Sequence, residues 1–236
     1  MTPAEILGRV LYKDQDVIVL DKPAGLAVHA GPNALDHLEL YLDALSFGWA
    51  APPRLAHRLD RDTAGCLILG RHDKALKRLG RLFAAHRMEK WYWSVCLGSP
   101  PTERGTVDVP ILKVSSRGQG WRIRVDPQGQ PAVTDWSVKG RCGDLTWIEW
   151  RPRTGRTHQI RVHARHLGCP LLGDAYYGPD PAPPSPAPMV VPLHLLARAV
   201  AIPPLAPSKP PIRVTAPPPA HMIEALTACG WREGEG

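Results

Sequence analysis

The segment His57-Arg-Leu-Asp-Arg-Asp-Thr-Ala-Gly65 sets one carboxylate, Asp60, between two arginines, Arg58 and Arg61, just ahead of a Thr-Ala-Gly turn and the apolar run Cys66 to Leu69. An opposite charge within about 4–6 Å lowers a carboxyl pKa by roughly 1–3 units, so Asp60 is expected to be ionised. An ionised, oriented carboxylate is either a nucleophile or a general base; the same residue types also make a structural ion-pair network. A second cluster, Thr154-Gly-Arg-Thr-His-Gln-Ile-Arg-Val-His163, gathers donors at or near the start of a helix, where anions are favoured. His158 and His163 are five apart, not the i, i+4 pair of a zinc helix, and no HExxH occurs, so no metal is expected. His57 and His29 read as structural donors that hold loops, and Trp91 and Trp93 as core.

The elements that must position these clusters follow from periodicity. Val17 to Leu20 reads as a buried strand stopped by the turn-forming Lys22-Pro-Ala-Gly25. Asp36-His-Leu-Glu39 has capping-box spacing, with Leu38, Tyr41, Leu42 and Leu45 recurring as on a helix. Asp73 is placed to cap a second helix with Leu76, Leu79, Leu82 and Phe83 on its apolar face and Lys74, Lys77, Arg78 and Arg81 on a phosphate-facing polar one. Trp91 to Leu97 has strand character, with Trp91, Trp93 and Val95 on one face and Tyr92 on the other; Ala132 to Val138 and Leu145 to Trp150 are further strands. Thr157 to Leu167 reads as a helix closed by Gly168 and Pro170. Seven prolines from Pro179 to Pro192 predict an exposed loop; Leu193 to Ile202 has strand or short-helix character, and a proline-rich tail, about 216–236, follows Ile212 to Thr215. Strands and helices without regular βαβ alternation favour an α+β fold.

Charge narrows the partners. Arg54 to Lys90 holds ten basic residues against four acidic ones, and Arg151 to Arg165 holds five arginines and no acid, within a chain of net charge +7. Positive charge concentrated in this way suits a polyanion, most simply a nucleic acid backbone. Five scattered cysteines with no CxxC support neither a disulfide framework nor a zinc ribbon. No apolar run is long enough for a membrane helix and the N-terminus lacks a signal pattern, so a cytoplasmic protein is the expectation.

Together the clusters resemble the RluA-type RNA pseudouridine synthases in four successive motifs. Leu20-Asp-Lys-Pro-Ala-Gly-Leu-Ala-Val-His29 is similar to the first motif, and His57 to Gly65 to the HRLDxxTSG motif whose catalytic aspartate maps to Asp60. Lys90-Trp-Tyr92 matches K-x-Y, whose tyrosine packs on the target base. Gly155 to His163, followed by Leu167 to Pro170 and Gly173-Asp-Ala-Tyr-Tyr-Gly178, matches the third motif and its sequel, in which Arg161 is the arginine that pairs with the catalytic carboxylate. Ala64 departs from the family's usual serine, losing a hydroxyl. Fewer than twenty residues precede the first motif, so the expectation is a stand-alone catalytic domain without the S4-type RNA-binding domain of many relatives.

The resemblance implies a single α+β domain with a mixed, largely antiparallel sheet and a central basic cleft, and a cofactor-free isomerase of structured RNA, acting as a monomer on ribosomal or transfer RNA. Its catalytic residues would be Asp60, Tyr92 and Arg161; the substrate contacts would come from Arg58, which enters the vacated base stack, and from His57, Arg61, Lys90, Arg156, His158 and Gln159. Two other classes compete: a noncatalytic RNA-binding module on the same fold, and a histidine-based phosphodiesterase. Retention of Asp60, Tyr92 and Arg161 argues against the first, and the histidine spacing against the second.

Overall fold

A computed structural model describes residues 1–31, 35–116, 120–178 and 191–234. Its elements are α1 (Pro3–Leu7), β1 (Val10–Lys13), β2 (Val17–Lys22), a 3-10 helix (Leu38–Leu45), β3 (Arg54–Leu55), β4 (Ala64–Gly70) and α2 (Asp73–Ala84). These are followed by β5 (Glu89–Leu97), β6 (Arg104–Asp108), β7 (Ile111–Ser116), β8 (Gly120–Val125), β9 (Val133–Cys142) and β10 (Leu145–Pro152). Last come α3 (Gln159–His166), β11 (Leu195–Ile202), β12 (Ile212–Thr215) and α4 (Ala220–Ala228). The chain divides into two compact units, one of residues 1–90 and 196–219, the other of residues 91–195 and 220–236. Both combine helices with largely antiparallel strands, the α+β class expected.

In the first unit, β2 lies antiparallel between β1 and β4, from Val17 opposite Gly70 to Lys22 opposite Gly65. Every residue of β4 is buried, which is why it reads as a continuous apolar run rather than an alternating one. A parallel pairing sets Ala64 and Gly65 against Leu196 and Ala197 of β11. Gly65 has φ +101°, and a Cβ there would meet the Ala197 carbonyl oxygen at 2.4 Å, so only glycine serves directly after the Asp60 turn.

Both helix caps expected in this unit fall elsewhere. Asp36 caps nothing: its carboxylate takes the Tyr41 hydroxyl at 2.5 Å and the N-terminal ammonium at 3.3 Å, and Leu38, Leu42 and Leu45 are buried by a 3-10 helix instead. Asp73 sits one position inside α2, paired with Arg54, while the His72 Nδ1 accepts from the Ala75 N–H. The His72 ring is available as a cap because its Nε2 lies 2.9 Å from the Asp16 carboxylate, a partner 56 residues away.

In the second unit the strands run β5, β10, β9, β6, all antiparallel, with β7 and β8 as a separate hairpin. β5 is buried on both faces from Trp93 to Cys96 and shows no in-out alternation. Ile160 and Ala164 of α3 share a core with Cys96, Ile148 and Trp150. α3 starts two residues later than expected, since His158 takes a left-handed φ of 53°. The expected C-terminal tail is in part a helix: Met222, Leu226 and Cys229 recur at helical spacing and are buried, and Pro217 to Pro219 precede α4 rather than interrupt it. A Cβ on Gly140 would stand 1.7 Å from the Cys229 carbonyl oxygen, so glycine lets the end of this segment seat on β9. The proline-rich loop lies, apart from Val191 and Pro192, outside the described residues.

Candidate active site

Asp60 begins a turn in which its own carbonyl accepts from the Thr63 N–H at 3.2 Å. The turn is held from beneath by main-chain contacts. Buried Leu59 plugs it into the core, and the Arg61 carbonyl accepts from both the Gly25 N–H and the Lys22 ammonium, each at 2.9 Å. Lys22, on β2, is wholly buried and donates further to the carbonyls of Pro23 and Leu26 at 2.8 Å. Three N–H groups thus meet three oxygens, tying the first motif to the loop of Asp60. Burial pushes the Lys22 ammonium down to about 7, opposed by the nearby Asp62, Asp60 and Asp21 carboxylates.

His57 holds the other side of the loop. Its Nε2 accepts from the Ile68 N–H at 3.0 Å, which assigns the proton to Nδ1, and burial lowers its pKa to about 3. Neutral, acting as an acceptor and packed on Phe83 at 4.9 Å, it braces the loop. Arg61 was expected to flank Asp60 electrostatically; its guanidinium forks onto Asp62 at 3.0 and 3.3 Å. Arg58 is exposed, and its side chain has no hydrogen bond or ion pair among the described residues. Lys90 is half-buried, and desolvation lowers its pKa.

In the second unit Tyr92 is half-buried on β5, opposite Trp150, and packs against the core beneath α3. Arg161 is buried and forks onto the Asp174 carboxylate, Nε to Oδ2 at 2.7 Å and Nη2 to Oδ1 at 2.6 Å. Asp174 Oδ1 also accepts the N–H groups of Tyr176 and Tyr177 at 2.9 and 3.0 Å, and both tyrosine rings lie against the guanidinium. The Tyr177 hydroxyl accepts from the Ile123 N–H at 3.1 Å and meets His158 Nδ1 at 2.8 Å. Gln159 is buried with its amide fully engaged, accepting from the Thr154 hydroxyl and the Arg156 N–H and donating to Val133 and Thr134. It braces the loop before α3. Arg156 reaches the Pro131 carbonyl with Nε and is otherwise exposed.

Asp174 and Lys22 stood inside the motifs but were not assigned roles by sequence reasoning. The signal for each was a charged residue framed by apolar or glycine-rich sequence, Val17 to Pro23 and Gly173 to Gly178.

A family model described as RNA pseudouridylate synthase matches residues 16–166, through the loop of Asp60, Tyr92 and Arg161. The chain belongs to that family. An uncharacterised RNA pseudouridine synthase from Zymomonas mobilis is 44% identical over 171 residues, 72% of this chain and 78% of the relative. Ribosomal large subunit pseudouridine synthase D of Yersinia pestis is 36% identical over 77% of this chain, and the mitochondrial pseudouridylate synthase RPUSD4 of Xenopus tropicalis 36% identical over 73%. This chain spans only 56% and 61% of those two proteins, respectively. Among solved structures, human RNA pseudouridylate synthase domain containing 4 superposes with a TM-score of 0.79 at 27% identity, covering 96% of this chain and 95% of that one. Family membership makes the chain an isomerase of the pseudouridine synthase type, and among the described residues no helix is long and apolar enough to cross a membrane.

Proposed function

We propose that this chain isomerises uridine to pseudouridine in structured RNA, acting as one catalytic domain with Asp60 as the catalytic carboxylate. In that reaction the N1–C1′ bond breaks, the freed uracil turns, and a C5–C1′ bond forms while the C5 hydrogen leaves to solvent and N1 takes up a proton. No redox change occurs and no external group donor enters. The observation that carries the assignment is the seating of Asp60: its turn is anchored through main-chain and buried groups, Lys22, Gly25, His57 and Leu59, while Asp60 itself is only partly covered. A site built in this way fixes the loop that carries its carboxylate through main-chain and buried groups.

Tyr92 is assigned to packing on the base and Arg161 to the carboxylate as its cation, as the family motifs imply. Arg58, exposed two residues before Asp60, is assigned to the stack vacated by the flipped base, a step costing a few kcal/mol. Arg156 and His158 supply further RNA contacts, and Arg61 and Lys90 line the approach. Relatives named for the large ribosomal subunit favour ribosomal RNA, with transfer RNA the other pool to be tried. The cytoplasm and a monomeric state complete the proposal.

The test is tritium release from RNA labelled at uracil C5, using ribosomal and transfer pools separately. Wild type should release tritium, and Asp60→Asn should lose it by on the order of 10⁴-fold while retaining RNA affinity. Release by Asp60→Asn at the wild-type rate would remove Asp60 from the chemistry. RNA binding without release from either pool would favour the noncatalytic module.

A further inference from the structure

The edge of β8 and the face of α3 enclose a groove of about 420 Å³ in the second unit. Its floor is apolar, formed by Ile123, Val162 and the ring of Tyr177, all buried. Its charged lining is of one sign: Arg122, Arg124 and Arg165 surround it, and no carboxylate lines it. Asp126 forks onto Arg124, and Arg165 donates to the Gly178 carbonyl at 2.6 Å. Arg122 is exposed, and its side chain has no hydrogen bond or ion pair among the described residues.

The rim is aromatic. Tyr176 is 47% exposed and Trp121 40%, and the His158 ring lies between them, 6.0 Å from the first and 5.1 Å from the second. The Lys113 ammonium lies 4.6 Å from the centre of the Trp121 ring. Tyr176 also lies against the Arg161 guanidinium, so the groove adjoins a residue already assigned to the reaction. A peptide adding to the edge of β8 would need its free N–H groups, but the Tyr177 hydroxyl already takes that of Ile123. Apolar floor, exposed rings and the exposed Arg122 guanidinium instead match a nucleotide, with a π face for the rings and a phosphate for the guanidinium.

We propose that this groove holds a nucleotide of the RNA substrate outside the target uridine, its base on Tyr176 and the floor and its phosphate on Arg122. The inference rests on RNA being the substrate. The tests are Arg122→Glu and Tyr176→Ala, with Arg122→Lys as the charge-keeping control, on the labelled RNA pool that wild type turns over. Both side chains are exposed, and unchanged thermal melting will show that the fold is intact. KM should rise about tenfold for Tyr176→Ala, as the loss of one stacking contact implies, with kcat at saturating RNA within about twofold. Arg122→Glu should lower the slope of log Kd against log salt by about one, and Arg122→Lys should restore it. Wild-type KM and salt slope in both Arg122→Glu and Tyr176→Ala would overturn the inference and leave the groove to an acidic protein partner. A wild type that neither turns over nor binds RNA would instead overturn the proposed function itself.

Discussion

In the unit that carries Asp60, a buried ammonium grips three main-chain carbonyls; in the unit that carries Arg161, a buried guanidinium grips a carboxylate. The two cations are not interchangeable. An ammonium is a compact charge with three donors that can point to three separate oxygens, whereas a planar guanidinium matches the two oxygens of one carboxylate. Carbonyls satisfy the Lys22 donors without neutralising its charge, so Lys22 depends on the field of Asp62, Asp60 and Asp21. Arg161 has its compensating charge in direct contact, on an Asp174 side chain that is 0% exposed. The first arrangement fixes a backbone, and with it the loop that carries Asp60. The second fixes a side chain, and with it the orientation of a cation.

Experiments can press on this difference. After the loss of turnover in Asp60→Asn, the largest effect expected is from Asp174→Asn, which takes from Arg161 the buried carboxylate it forks onto. Breaking a buried pair costs about 3–5 kcal/mol, readable in urea denaturation, and tritium release should fall with it. Unchanged stability would mean that Asp174 is not what compensates Arg161. Lys22→Met fills the same space but takes their donor from the Pro23 and Leu26 carbonyls, while the Arg61 carbonyl keeps the Gly25 N–H. A loss of about 2 kcal/mol is expected, taking the lower end of the cost of an unsatisfied group for each. Lys22→Arg should fail to rescue it if the point-charge geometry is what matters.

The neutral histidine brace gives a pH signature. His57 titrates near 3 when folded against 6.5 when unfolded, so between those values the unfolded chain binds a proton that the folded chain refuses. Its stabilising contribution is complete above pH 6.5 and declines toward pH 3 by about 1.4 kcal/mol per pH unit. His57→Asn, whose amide oxygen can still accept from Ile68, should show a correspondingly shallower acid limb in denaturation series from pH 6.5 to 4. An identical limb would mean that His57 is protonated in the fold. The smallest effect belongs to Arg61→Ala: its fork onto Asp62 is half exposed, and surface pairs contribute about 0–1 kcal/mol, well below the Arg161 pair of the same chemistry.

Much of this was legible in the amino-acid order. β2, β4 and the strands around Trp136 and Trp150 follow from apolar runs and alternation, and α2 from its apolar stripe. The Asp60 and Arg161 motifs stood out by charge density and spacing. Local pattern failed where the decisive partner was distant in the chain. Asp36 and Asp73 looked like caps, but Tyr41, the N-terminus and Arg54 claimed their carboxylates.

What the sequence by itself determined is the inventory: the α+β class, the family, and the residues from which any pseudouridine synthase chemistry must be drawn. Periodicity and motif spacing are local, and local order survives in one dimension. The tertiary structure decided the partners: Lys22 bonds the carbonyl of Arg61, 39 residues away, and Arg161 bonds Asp174, 13 residues on. A charged side chain has several partners within reach of its sequence. Which one it takes depends on burial, because desolvation makes an unmatched charge costly only where the fold has removed water.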